Sequence, residues 1–161
     1  MRITLLQAAV LAMLGLMPGG MVVAKPPAPA VAAPRHADAR VEGAWVRAAP
    51  PGVDMLAGYM VIHNDGTTPL QLASASSDAF AMVELHRTTT AGGMSSMHPA
   101  GMQTIPAGGE LRIAPGGLHW MLMSPRRALK IGDGVNFTLH FTGAGAVTVH
   151  AIVAAQTPTG K

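Results

Sequence analysis

From residue 40 onward, turn residues interrupt the chain so often that no apolar run is long enough to make a packed helix. Pro50-Pro51-Gly52, Asn64-Asp65-Gly66 and Pro115-Gly116-Gly117 are turn signals, because proline presets φ and glycine and asparagine tolerate left-handed backbone. Between these breaks lie short segments rich in alternating or β-branched residues, at 41–47, 56–63, 70–76, 82–87, 111–113, 118–123, 135–141 and 147–154. No segment after the first two dozen residues keeps a helical period, and there is no internal repeat. Short strands at this spacing predict an all-β domain, an antiparallel β-sandwich or barrel. A glycine- and methionine-bearing loop is expected from residue 88 to about 102.

The first residues follow a different logic. Arg2 supplies a positive charge, residues 3–17 are apolar and uncharged, and Pro18-Gly19-Gly20 break the run ahead of Val22-Val23-Ala24 and Lys25. This is the layout of a secretory signal, and the breakers leave the run short of the roughly 20 apolar residues that span a bilayer. The expected organisation is a signal peptide at 1–24, a Pro/Ala-rich flexible lead-in at 25–39, a β-sandwich domain at 40–155 and a loose tail at 156–161. Export to the periplasm is expected, with no membrane span after cleavage.

The 161 residues include no cysteine. Disulfides, zinc-thiolate sites, iron-sulfur clusters, thiol nucleophiles and a blue-copper centre all need that thiol and are excluded, as is a lipid anchor on a cysteine behind the signal. Charge is sparse, with 11 Lys and Arg against 8 Asp and Glu. Arg126, Arg127 and Lys130 are the only loose basic cluster and read as a solvated turn. Without a basic stripe interleaved with aromatics, nucleic acid is not an expected partner. Methionine, by contrast, is abundant at 12 residues, beside 7 histidines.

Two strands place histidine and methionine side by side. In His119-Trp120-Met121 the first and third side chains share one face of a strand, and Met82, Glu84 and His86 share one face of another. The segment after His86 carries Met94 and Met97. Three stretches of chain can therefore bring imidazoles and thioethers to one point. Thioether sulfur is soft and neutral; it suits cuprous ion and is a poor ligand for magnesium or calcium. Zinc prefers thiolate, imidazole and carboxylate. A set of two histidines and two methionines adds no negative charge and favours the monovalent state of copper. Methionine is also the commonest filler of irregular cores, and Met55, Met60 and Met123 read as packing, while Met82, Met94 and Met102 are left open as a possible methionine-lined rim. His63, His98, His140 and His150 read as surface or hydrogen-bonded residues, and His36 falls in the lead-in.

The order His86, ten residues, Met97, twenty-one residues, His119, one residue, Met121 is the ligand pattern of another group of proteins. Ala44-Trp45-Val46-Arg47, Gly58-Tyr59-Met60, Val83-Glu84-Leu85-His86, Ile105-Pro106-Ala107-Gly108-Gly109 and Pro115-Gly116-Gly117-Leu118-His119 flank it in the same way. On these motifs the chain resembles the periplasmic PCu(A)C-type copper chaperones over about residues 40 to 155. The resemblance implies a cupredoxin-like β-sandwich and one Cu(I) per chain, held by His86, Met97, His119 and Met121. It implies a carrier rather than an enzyme. It also implies delivery to the CuA subunit of cytochrome c oxidase or to a Sco-type assembly protein. A copper-resistance or scavenging protein using the same four ligands is the alternative. Some relatives carry a His/Met-rich C-terminal extension; this sequence ends in Thr157-Pro158-Thr159-Gly160-Lys161, and His98 stands where a basic residue is common.

Overall fold

The computed structural model describes residues 38–50 and 52–156, so the expected signal, most of the lead-in and the last five residues lie outside the described residues. Among the described residues ten strands follow one another: β1 Ala39–Arg47, β2 Met55–Asn64, β3 Leu70–Ser77, β4 Phe80–Ala91, β5 Met94–Pro99, β6 Gln103–Ile105, β7 Glu110–Ile113, β8 Leu118–Pro125, β9 Gly134–Phe141 and β10 Gly145–Ala154. The all-β expectation is met. The strands run in the order β5-β4-β8-β2-β1-β10-β9-β3-β6, with β7 added beside β2. The pairings are antiparallel except for one, β1 beside β10, which is parallel. The sheet is therefore mixed rather than wholly antiparallel.

Period-2 alternation decides which side faces in. On β9, Val135, Phe137, Leu139 and Phe141 are buried; on β8, Leu118, Trp120 and Leu122 are. These two rows come from distant parts of the sheet and meet in one core. Gly58 of β2 shows how closely: it stands in register with Trp120, and a Cβ there would lie 3.3 Å from the Trp120 Cβ and 3.5 Å from the Phe137 ring. A side chain at this point would crowd Trp120, Leu122 and Phe137, so glycine lets β2 and β8 pack closely here. Trp120 is 1% exposed, and truncating a side chain of that size in a closed core costs about 3–5 kcal/mol.

Residues 88–102 depart from the loop expectation. Strand β4 continues to Ala91, the chain reverses at Gly92-Gly93, and β5 returns along β4 as far as Pro99. Both turn glycines have positive φ, +58° and +79°, as a two-residue hairpin of the primed type requires. Every residue of β5 is exposed. Its strand state comes from the backbone ladder with β4, so no hydrophobic alternation marks it in the sequence. The three-residue β6, paired to β3 through Leu70–Ile105 and its neighbours, is likewise invisible to pattern.

Candidate metal centre

Strands β4 and β8 pair so that His86 lies opposite His119, Glu84 opposite Met121 and Met82 opposite Met123. All six side chains share the face turned away from Trp120 and Leu85. On β8 this follows from alternation in Leu118-His119-Trp120-Met121-Leu122, whose first, third and fifth residues are core. The two imidazoles are close, with ring centroids 6.1 Å apart and planes tilted by 46°. They are nearly buried, His86 at 9% exposure and His119 at 8%.

Each ring is oriented by a hydrogen bond. His86 Nε2–H donates to Glu84 Oε2 at 3.1 Å, which leaves Nδ1 with the lone pair, and that nitrogen is buried without a hydrogen-bond partner. His119 Nδ1–H donates to the Gly117 carbonyl at 3.2 Å, leaving Nε2 as its lone-pair nitrogen. Holding one ring nitrogen to a carboxylate or carbonyl so that the other can bind is how ligating histidines are oriented around metals. A buried imidazole nitrogen with no partner is costly unless something binds it.

The two methionines approach from either side of this pair. Met121 follows His119 on the same face of β8. Its cross-strand neighbour on β2 is Ala57, whose small side chain leaves open space above the thioether. Met97, on β5, stands opposite Thr88, one same-face step along β4 from His86. Met97, His119 and Met121 line one open cavity of about 300 Å³, together with Ala48, Ala49 and Pro50 among others. His86 is not on the cavity wall; it joins the group through His119 behind it. The structure thus brings the four expected residues to one neighbourhood, with Met97 carried by a strand rather than a loop. Met97 is the most open of them at 56% exposure.

The other histidines and methionines sort differently. His98, His140 and His150 hydrogen-bond Ser96, Ser76 and Asn136 at 3.1, 3.0 and 3.1 Å, and His63 lies between Glu42 and Glu110. Met60 is core. Met55, expected to pack, is instead 49% exposed on the face of Met121. Glu84 has a position in the site that residue type alone does not reveal; its signal is the i, i+2 spacing to His86. Among the described residues, no group of three or more His, Asp or Glu is placed to hold a metal. Arg126, Arg127 and Lys130 are exposed, and Arg127 pairs with Asp133 at 2.9 Å.

Residues 39–153 match the family model LpqE-like, described as "Putative lipoprotein LpqE-like". "Putative lipoprotein Lxx21020" of Leifsonia xyli subsp. xyli is 38% identical over 119 residues, covering 72% of this chain and 70% of that protein. Among solved structures, the chain is similar to the copper-bound PCuAC domain from PmoF2, with a TM-score of 0.62 and 27% identity, covering 74% of this chain and 94% of that one. It is also similar to CuI-DR1885 from Deinococcus radiodurans, with a TM-score of 0.55 and 38% identity, covering 71% of this chain and 76% of that one. These likenesses give the sandwich its class, the cupredoxin-like β fold of PCuAC domains. By the extent of the family match and of the Leifsonia relative, the chain belongs to the LpqE-like family.

Proposed function

We propose that this protein is an exported carrier of copper, which binds one cuprous ion through His86 Nδ1, His119 Nε2 and the thioethers of Met97 and Met121. The observation that carries this reading is the in-register pairing of His86 with His119, each ring held at one nitrogen by a hydrogen bond, next to a cavity lined by His119, Met97 and Met121. Two soft sulfurs and two imidazoles, with no charged ligand, match the monovalent ion. The copper-bound PCuAC domain and CuI-DR1885 support the choice of metal by likeness.

Carriage rather than catalysis fits the same features. The metal is cargo here, and a carrier must release it. Met97 is more than half exposed and sits on a hairpin whose strand β5 buries nothing, so this ligand can be exchanged for one from an acceptor without disturbing the core. The acceptor we propose is the CuA subunit of cytochrome c oxidase or a Sco-type assembly protein, in the periplasm. The lipoprotein names of the relatives agree with export, although the sequence has no cysteine to carry a lipid.

Anaerobic titration with Cu(I) against a chromophoric chelator tests the reading. One equivalent should be withdrawn from the chelator by the parent, and the Met97→Leu and Met121→Leu variants should compete at least about tenfold less well, which corresponds to 1.4 kcal/mol. Parent-like competition by both variants would remove the assignment. Mixing the loaded protein with a metal-free CuA domain and following the violet CuA band under reoxidising conditions then tests delivery separately.

A further inference from the structure

The face that carries the candidate site continues past Met121. Met123 lies one same-face step further along β8, opposite Met82 on β4 and opposite Met55 on β2. Three methionines therefore stand in one row across three adjacent strands. None of them is filler: Met55 and Met82 are 49% and 52% exposed, and Met123 is partly exposed between them. The sequence singles out Met82 for a methionine-lined rim but not the row itself, because its members are separated by tens of residues and only the register of β2, β8 and β4 aligns them.

We infer that Met55, Met82 and Met123 form a second, all-thioether site for a soft monovalent ion, beside the His/Met site and weaker than it. Directly opposed side chains on antiparallel strands start about 4.5–5.5 Å apart at Cβ, so the two outer methionines flank the central one at about 5 Å on either side. Methionine is unbranched, with three rotatable bonds, so both outer sulfurs can swing toward the middle one and give a three-sulfur cradle. Three neutral sulfurs select monovalent copper or silver over hard divalent cations. Met55 also lines the cavity that holds Met97, His119 and Met121, so the row opens directly onto the candidate site. An ion held on the row has a short path into the cavity by exchange of one thioether for another. The inference stands on strand register and exposure and does not depend on which residues complete the neighbouring site.

Silver(I) is the probe, being soft, monovalent and redox-silent. The protein is labelled with 13C at the methionine methyls, the signals are assigned by single Met→Leu variants, and silver nitrate is added stepwise to two equivalents. The Met55, Met82 and Met123 methyls should shift together as the second equivalent is added, after those of Met97 and Met121. A Met55→Leu/Met82→Leu/Met123→Leu variant, which keeps side-chain volume nearly constant, should bind one equivalent fewer by calorimetry and retain the first. If the three methyls stay in place through two equivalents in the parent, the site does not exist, whatever the variant does. Failure of the His/Met reading is a separate result: unmoved Met97 and Met121 methyls at the first equivalent.

Discussion

Met97 stands directly across from Thr88, and this pairing explains why ten residues separate Met97 from His86. His86 and Thr88 share a face of β4, the hairpin turns at Gly92-Gly93, and the return strand delivers Met97 to the same face one step beyond His86. The spacing is thus a statement of hairpin register. Inserting one alanine between Ser95 and Ser96 should move Met97 to the opposite face, because side chains alternate with period two. Since β5 is exposed throughout, the fold should survive. Cuprous affinity should fall by as much as in Met97→Leu, at least about tenfold or 1.4 kcal/mol, and thermal stability should change little; chelator competition and a melting curve check the two together.

Glu84 holds the His86 ring through a 3.1 Å hydrogen bond. Outer partners of this kind typically contribute 10–100-fold in metal affinity. Glu84→Leu should lose affinity in that range, whereas Glu84→Gln, whose amide oxygen still accepts from Nε2–H, should keep most of it. Equal losses in the two variants would point to a role for the charge rather than for ring orientation.

Met60 and Met121 separate stability from binding. Met60 is 2% exposed in the core, so Met60→Ala should cost about 2–5 kcal/mol of stability and leave the copper affinity of the folded protein near the parent value. Met121→Leu should do the reverse. Denaturant unfolding and Cu(I) competition on both variants decide it.

Asp133 gives the fold an acid limb. Its carboxylate accepts a hydrogen bond from the Lys130 backbone N–H at 2.9 Å and another from the Arg127 guanidinium at 2.9 Å, and these, the backbone bond first, hold its pKa below the ordinary value of 3.8. A carboxyl depressed in the folded state stabilises the fold above its unfolded pKa, and that contribution disappears as pH falls through the lowered value. Asp133→Asn should therefore melt slightly below the parent at pH 7, and the gap should narrow as the pH falls below about 4. Melting temperatures from pH 7 to 3 check the sign.

Much of the fold was legible because its core strands alternate cleanly. Val135, Phe137, Leu139 and Phe141 mark β9, and Trp120 and Leu122 mark β8. The parallel pairing of β1 with β10 was not legible, since side-chain alternation is the same in either direction. Strand β5 was missed because a strand that buries nothing leaves no apolar period. In the candidate site, His119 and Met121 were legible from strand alternation alone. The pairing of His86 with His119 and the exposure of Met55 depend on register between strands, which a single sequence does not encode locally.

The most direct test of the account is X-ray absorption at the copper edge on the anaerobically loaded protein, which counts the metal's nitrogen and sulfur neighbours. The account predicts two nitrogen and two sulfur ligands at one equivalent of Cu(I), with one sulfur lost in each of Met97→Leu and Met121→Leu. A first shell of nitrogen and oxygen without sulfur, unchanged in both variants, would contradict it.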